Sequence, residues 1–458
     1  MTISVDPAIP AATTVLPRVE RRASLPVGFR AGGLAAGIKA SGRPDLAIVV
    51  TTGGPAAAAA VFTPNAFAAA PVQVSRANLA ATSGDARGGF GWAEAVVSTS
   101  GSANAATGDA GNADQAEIGR FMATATGFEP QRILHLSTGV IGTRLPLDKV
   151  SEGIRSLVPR LEASDAALEA AAIALCTTDS VVKVATSSTE LPGPDGSVVP
   201  VTVTGIAKGV GMIHPNMATM LSIVLTDATV EPDVLWALLR PVAARTWDQL
   251  SVDGDTSTND TVFVLASGAS GSATVEFDGS SGHALGAAIE AVARDLARQQ
   301  AADGEGATTL ITATVTGARD AADARAVARS VVSSSLVKAA AHGRDPNWGR
   351  IAGSAGNARL ASAAVLEAAG LEPAEAAARA AQPVTLDPDR LRISIAGFAV
   401  FDGAAGGPIA FDRAAARAAM AGPELAIGLD LGLGDGAGEA FGCDLTEQYV
   451  LENSEYTT

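Results

Sequence analysis

Residues 205–220 combine a lysine, several glycines and a threonine in a segment whose composition could support catalysis. A threonine hydroxyl needs a general base, and its own α-amino group can serve once the preceding peptide bond has been cut. The pKa of an α-amino group, about 7.7–8.0, suits proton transfer near neutral pH. The bond between Ala218 and Thr219 is therefore a candidate site of self-cleavage, with Thr219 as the nucleophile.

The same segment also has a purely structural interpretation. It is too apolar for an ordinary surface loop and too often interrupted by glycine for a helix. A glycine-rich loop that closes a core strand would have this composition. From these residues alone, both interpretations stay open.

Other familiar motifs do not fit. Gly432–Ala437 imitates a dinucleotide-binding fingerprint, but no helix is predicted after it, so we expect a turn. Asp253–Ser257 resembles the start of a calcium-binding loop, but Thr258 replaces the glycine at position six and Val264 the glutamate at position twelve. The sequence therefore predicts no metal site. The four histidines are scattered, which leaves few candidates for a Ser-His-Asp triad: His135, His214, His283 and His342.

Composition narrows the class of protein. The chain has 458 residues, 47% of them hydrophobic and 17% charged, which is typical of a globular protein with two or three domains. A net charge of -16 argues against nucleic acid or an anionic membrane as partner. Cys176 and Cys443 suggest no disulfide framework and favour a reducing compartment. Residues 1–26 lack an apolar core and are predicted to be a flexible leader, so we expect a cytoplasmic protein.

Hydrophobic patterns predict a β-rich α/β chain without a fixed-period repeat. A strand over 133–136 leads into Ser137-Thr138-Gly139, where main-chain N–H groups could turn toward a ligand. A hairpin or insertion is predicted at 186–196. Strands are predicted near 45–52, 95–100, 197–204, 220–225, 261–265, 273–277, 309–315, 392–395 and 424–431, and helices near 110–126, 147–176, 230–250, 283–302, 320–340 and 359–380.

The segment Lys208–Leu221 resembles the autocleavage signature of the ornithine acetyltransferases of arginine biosynthesis, also called glutamate N-acetyltransferases. Other motifs follow in the family's order, from about residue 27 to the end of the chain. They are Gly28–Gly33, Gly37–Lys39, Phe62-Thr63, Ala70-Pro71, Ser137–Gly142, Thr177–Asp179, Val252–Asp260, Asp303–Thr308, Gly343–Arg350 and Tyr449–Thr458.

The resemblance implies an α/β fold with layered sheets flanked by helices, made as a precursor and cleaved before Thr219. The products would be an alpha chain, 27–218 after the leader, and a beta chain, 219–458, assembled as an α2β2 heterotetramer. Thr219 would be the nucleophile, with Thr138 and Gly139 as the oxyanion-stabilising pair.

The resemblance also implies an amino-acid substrate and a ping-pong reaction. N2-acetyl-L-ornithine would acetylate Thr219, ornithine would leave, and L-glutamate would take the acetyl group. The cycle requires no cofactor, and acetyl-CoA would enter only as a substrate, in a bifunctional member. By chemistry, Lys208 suits a carboxylate and Glu305 an ammonium group. The implied substrate contacts are Thr177, Lys208, Thr219, Glu305, Asn453 and Thr458.

Three positions depart from the family pattern: Thr99, Thr309 and Ala339. They leave open a relative from secondary metabolism with another acyl acceptor. Two more interpretations stay open at this point. One is a self-processing hydrolase or aminopeptidase with an N-terminal nucleophile, and the second is a non-catalytic binding protein with the same fold.

Overall fold

The structure is a computed structural model that describes residues 16–214 and 220–454. In this part of the chain the strands are β1 (Val19–Glu20), β2 (Phe29–Leu34), β3 (Leu46–Thr51), β4 (Ala56–Phe62), β5 (Phe90–Ala93), β6 (Ala95–Ser102), β7 (Ile133–Val140), β8 (Lys183–Pro192), β9 (Val198–Lys208), β10 (Leu221–Thr226), β11 (Leu250–Ser251), β12 (Thr261–Ala266), β13 (Leu310–Ala318), β14 (Arg392–Ile395), β15 (Phe398–Asp402), β16 (Gly407–Pro408), β17 (Glu424–Asp430) and β18 (Gly436–Cys443). The helices are α1 (Ala70–Ser83), α2 (Gly108–Thr126), α3 (Leu147–Leu157), α4 (Asp165–Leu175), α5 (Pro232–Arg245), α6 (Ser280–Ala302), α7 (Ala321–Ser333), α8 (Ser335–His342), α9 (Trp348–Gly356), α10 (Ala363–Ala368), α11 (Pro373–Arg379), α12 (Arg413–Ala419) and α13 (Glu447–Ser454).

The first sheet has seven strands in the order β1-β8-β9-β10-β12-β4-β5. Successive side chains of a strand point to opposite faces. Val224 and Val262 therefore join a core on the face covered by α5 and α6. Ile223 and Phe263 join a second core on the opposite face, which α1 and α4 help to fill. Because both faces are buried, β10 and β12 have almost continuous apolar sequences.

The second sheet has four strands in the order β2-β3-β6-β7. Ala47 and Val49 on β3 join the core shared with the first sheet, whereas Leu46 and Ile48 pack toward α2 and α3. Helices and sheets therefore alternate in layers, which confirms the predicted fold class.

The third sheet runs in the order β11-β18-β13-β17-β14-β15-β16. Helices α7, α8 and α9 contribute to its core, and Phe441 and Leu310 connect it to the core beneath α6. Among the helices described here, none is both long and apolar enough to cross a bilayer.

Two strand ends bring chemistry-bearing residues together. Strands β6 and β7 are parallel, so their carboxyl ends meet, with Gly101 opposite Gly139. Strand β9 ends at Lys208, which pairs with Leu221 at the start of β10. The connection between β9 and β10 is described as far as His214 and again from Met220.

Several predicted elements were wrong in detail. The helix predicted over 320–340 is divided into α7 and α8 at Ser334, whose backbone is extended, and the helix predicted over 230–250 ends at Arg245. The helix predicted over 147–176 is interrupted after α3, where Pro159 cannot donate a main-chain hydrogen bond. The helix predicted over 359–380 is divided into α10 and α11 around Gly370, whose φ is +101°. No strand forms over 273–277, because the buried Val275 makes only an isolated main-chain bond to Thr229.

The predicted hairpin at 186–196 is confirmed as the turn between β8 and β9. The described part of the predicted leader, 16–26, contacts the first sheet. Val19 pairs with Ser187, and the Ser24 carbonyl accepts a hydrogen bond from Thr204 Oγ1.

Candidate active site

Six of the predicted site residues line one cavity of about 290 Å³. They come from the ends of β7 and β9, from α13 and from the two loops that follow α4 and α6. These six are Thr138, Gly139, Thr177, Lys208, Glu305 and Asn453. The remaining three predicted residues, Ala218, Thr219 and Thr458, lie outside the described residues. The roles of all nine stay predictions.

Thr138 and Gly139, at the carboxyl end of β7, both line the cavity. Lys208 Nζ donates to Thr138 Oγ1 at 3.0 Å, so the hydroxyl accepts this bond and keeps its own proton for another partner. Gly139 has a φ of +132°, and a Cβ there would lie 2.3 Å from the carbonyl carbon of Gly101. Only glycine fits this close approach. A hydroxyl and a main-chain N–H side by side could stabilise an oxyanion.

The cavity has a positive and a negative side. Lys208 is buried, and desolvation lowers its pKa, whereas the nearby Asp179 carboxylate opposes that shift. Glu305 accepts hydrogen bonds from Thr178 Oγ1 at 3.1 Å and Asn453 Nδ2 at 3.0 Å. A carboxylate and an ammonium group on one small ligand would each find an opposite charge here.

Glycine at position 211 makes room for the acidic side chain. A Cβ on Gly211 would lie 2.2 Å from Glu305 Oε2. The Glu305 main-chain N–H also donates to the Val210 carbonyl at 2.8 Å. The glycine-rich segment after β9 is therefore shaped to accept this glutamate.

The loops around the cavity are held by the buried carboxylate of Asp179. It accepts hydrogen bonds from the main-chain N–H groups of Thr177 and Gly209, both at 2.9 Å. Lys183 Nζ donates to Asp179 Oδ1 at 2.7 Å and to Asp303 Oδ2 at 2.6 Å. Burial alone would raise the pKa of Asp179, but the ammonium groups of Lys208 and Lys183 outweigh it and hold the pKa well below the usual range.

Replacing Asp179 with asparagine is expected to lower the melting temperature by about 3–5 °C. Breaking a buried ion pair costs about 3–5 kcal/mol, and each kcal/mol corresponds to about 1 °C in a chain of this size, while Lys183 keeps its bond to Asp303. Asp435→Asn, at an exposed turn, is the matched control. Differential scanning calorimetry gives both values. Equal shifts in the two variants would contradict a structural role for this carboxylate.

Sequence analysis did not identify other polar residues that line the cavity, among them Thr178 and Asn259. Asn259 Nδ2 donates to the carbonyls of Ala103 at 2.7 Å and Ser137 at 2.8 Å, which holds the ends of β6 and β7 beside the cavity. The family motif Val252–Asp260 contained this signal, although it did not indicate a role.

The acidic loop Asp253–Ser257, which resembles the start of a calcium-binding loop, holds a neighbouring main-chain segment in place. The Asp253 carboxylate accepts hydrogen bonds from the main-chain N–H groups of Ile213, at 2.9 Å, and Met212, and so anchors the segment before residue 215. Within 16–214 and 220–454, no group of three His, Cys, Asp or Glu side chains is placed to hold a metal ion. The predicted turn at Gly432–Ala437 connects β17 and β18.

Comparison with known proteins gives consistent matches. A family model described as the ArgJ family matches residues 30–458. The arginine biosynthesis bifunctional protein ArgJ of Thermus thermophilus is 42% identical over 436 residues, 95% of this chain and 99% of that protein. The protein of the same name from Synechocystis is 40% identical over 449 residues, 96% of this chain and 98% of that one.

A solved structure is also similar in sequence to this chain: the ornithine acetyltransferase of Mycobacterium tuberculosis in complex with ornithine. It is 38% identical, with a TM-score of 0.37, and the match covers 43% of this chain and 97% of that chain. The family resemblance inferred from the motifs is thus confirmed by the match over residues 30–458 and by the two full-length relatives. The chain belongs to the ArgJ family.

Proposed function

We propose that this chain is a glutamate N-acetyltransferase of arginine biosynthesis, which moves the acetyl group of N2-acetyl-L-ornithine to L-glutamate. The observation that carries the proposal is the cavity in which Lys208 and Glu305 lie beside Thr138 and Gly139. A zwitterionic amino acid matches the two charges, and an acyl group bound between them would meet the oxyanion donors. The names of the ArgJ relatives support the pathway.

The first half-reaction is attack by Thr219 Oγ on the acetyl carbonyl of acetylornithine. Its proton passes to the α-amino group of Thr219, then to the departing amine of ornithine. Thr138 and Gly139 stabilise the negative oxygen of the tetrahedral intermediate. Its collapse breaks the acetyl C–N bond and leaves an acetyl ester on Thr219.

The second half-reaction reverses this order. The α-amine of glutamate attacks the ester, the C–O bond to Thr219 breaks, and Oγ recovers its proton. Thr177, Asn453 and Thr458 complete the substrate contacts. Lys208 binds the α-carboxylate of either substrate and Glu305 the side-chain ammonium of acetylornithine, because the amine of glutamate must be uncharged to attack. The cycle uses only the chain's own residues, and acetyl-CoA could replace acetylornithine as donor if the enzyme is bifunctional.

Self-cleavage prepares this site. Thr219 attacks the carbonyl of Ala218, and hydrolysis of the resulting ester separates residues 1–218 from 219–458 and frees the α-amino group. The two chains assemble as a cytoplasmic α2β2 heterotetramer. Support for linking the cleavage to the cavity comes from the sheet, where Lys208 pairs with Leu221, two residues after Thr219 in sequence.

The positions of the three departures from the family pattern support glutamate as the acceptor. Thr99 is in β6, Ala339 is in α8 and Thr309 donates its main-chain N–H to Asp444. The described residues that line the cavity include none of the three. None of the three is therefore among the described substrate contacts, which supports glutamate as the acceptor.

Ornithine release from acetylornithine should be at least about tenfold faster with glutamate present than without it. Because a ping-pong enzyme stalls as the acetyl ester when no acceptor is available, release without glutamate should stop near one ornithine per active site. Chromatography of ornithine and N-acetylglutamate over time measures both products. Equal steady release without glutamate would instead identify a hydrolase.

A further inference from the structure

A second, larger cleft of about 770 Å³ lies beyond the segment that borders the candidate active site. Gly211 and Met212 line the first cavity, whereas His214, two residues further on, lines the second. A cleft of this volume is in the range of small-molecule sites. It is formed mainly by α7, α9 and the residues that precede α8 and α9.

The described lining of this cleft carries positive charge and no carboxylate. Arg350 and Arg359 contribute guanidinium groups, and serine and asparagine side chains supply most of the other polar groups. Arg329 also lines the cleft, but its guanidinium group is buried and the Asp248 carboxylate interacts with its charge. The whole chain has a net charge of -16, so this local excess of arginine runs against its overall charge. An anion would be attracted to this cleft.

The two outer arginines are held in place but keep donors for a ligand. Arg350 Nη1 donates to the Leu336 carbonyl at 2.8 Å, and Arg359 Nη1 to the Ala381 carbonyl at 3.2 Å. A guanidinium has five N–H donors, so one main-chain bond leaves most of them for an anion. Its planar pair of donors matches phosphate oxygens in a bidentate geometry.

Two helices also begin at the cleft. Ser334 accepts a hydrogen bond from Val337 N at the start of α8, and Asn347 accepts one from Arg350 N at the start of α9. Helix N-termini carry partial positive charge, which adds to the field of the arginines. Asp345 is close in sequence but does not line the cleft, and its carboxylate accepts a hydrogen bond from Asn347 Nδ2.

We propose that this cleft binds a phosphorylated small molecule through Arg350 and Arg359. The contrast with the active site supports the choice of ligand. There, Lys208 and Glu305 offer both signs of charge, as a zwitterionic amino acid requires. Here an ammonium group would find no carboxylate among the described lining residues. A phosphate group carries nearly two negative charges at neutral pH and no positive one. The cleft is a site separate from acetyl transfer.

Gly353 offers a test that changes only charge. It lines the cleft on α9, and a Cβ added there would meet nothing within 4 Å. Gly353→Glu and Gly353→Gln have nearly the same shape, and both favour the helix more than glycine does. Pyrophosphate and ADP are titrated into the purified, full-length protein by isothermal calorimetry at low salt, with L-glutamate as the carboxylate probe.

We expect pyrophosphate or ADP to bind wild type and Gly353→Gln with dissociation constants below about 1 mM, and Gly353→Glu at least about tenfold more weakly. Arg350→Gln with Arg359→Gln should show the same loss. The control pair, Arg43→Gln with Arg155→Gln, removes two exposed arginines elsewhere and should change binding less than twofold.

Three results would overturn the proposal. They are no saturable binding of either phosphate probe to the wild type, equal affinity of the Glu and Gln variants at position 353, or binding of L-glutamate that responds to the arginine variants as strongly as the phosphate probes do. Acetyl transfer is measured separately, so failure of this proposal and failure of the proposed function are distinguishable.

Discussion

Thr219→Ala should leave the protein as one uncleaved chain of 458 residues and remove acetyl transfer. The same hydroxyl is proposed to attack the Ala218 carbonyl during maturation and the acetyl carbonyl during turnover. Without it, neither covalent intermediate can form. Loss of a catalytic nucleophile lowers kcat by about 10³-fold or more. Intact mass spectrometry of the wild type should show chains 1–218 and 219–458, and the variant should show one mass.

Thr219→Ser separates the chemistry of the hydroxyl from packing of the side chain. Serine retains the oxygen nucleophile and, after cleavage, the same α-amino base. We expect it to be cleaved and to form an acetyl adduct of about +42 Da on incubation with acetylornithine, an increment fixed by the chemistry of esterification. Cleavage of Thr219→Ala at the wild-type position, or an adduct on another residue, would contradict the assignment.

Local pattern was sufficient for the core of the fold. The apolar runs at 220–225 and 261–265 predicted strands, and the structure has them as the parallel pair β10 and β12. The local sequence pattern did not distinguish a strand from a buried loop. Val275, for example, is buried but does not belong to a strand. The strand Ala56–Phe62 was not predicted at all, because alanine has little β propensity, and it is stabilised as a strand by its place between β12 and β5.

The sequence predicted which residues form the site, but not how they contact one another. Family motifs marked Thr138, Lys208 and Glu305, which lie far apart in sequence. Their meeting depends on the hydrogen bond between two sheets, from Lys208 Nζ to Thr138 Oγ1, and on the space that Gly211 leaves for Glu305. No periodicity in the sequence encodes contacts of this kind.

The cationic cleft could not be inferred from the sequence for the same reason. Arg329 lies on α7, Arg350 on α9 and Arg359 after α9, and each is ordinary in its local context. The order of the strands and the packing of α7 against α9 bring them around one opening. The net charge of the whole chain is negative, so it does not reveal a local concentration of positive charge.

Thr138→Val should lower kcat for acetyl transfer by about 10²–10³-fold, the usual effect of removing one oxyanion donor. Valine keeps the shape of threonine but lacks the hydroxyl. Thr138→Ser, which restores the donor, should retain most of the activity. Steady-state kinetics with both amino-acid substrates measure the effect.

The division of this effect between kcat and KM tests what the hydroxyl does. In the resting site, Thr138 Oγ1 accepts a hydrogen bond from Lys208, so valine also leaves that buried ammonium with one partner fewer. If the hydroxyl served only to position Lys208 for a substrate carboxylate, the variant would raise KM and leave kcat nearly unchanged. Because the charge on the acetyl oxygen develops only in the transition state, an oxyanion donor acts mainly on kcat. A change confined to KM would therefore assign Thr138 to substrate binding and leave the main-chain N–H of Gly139 as the oxyanion donor at this strand end.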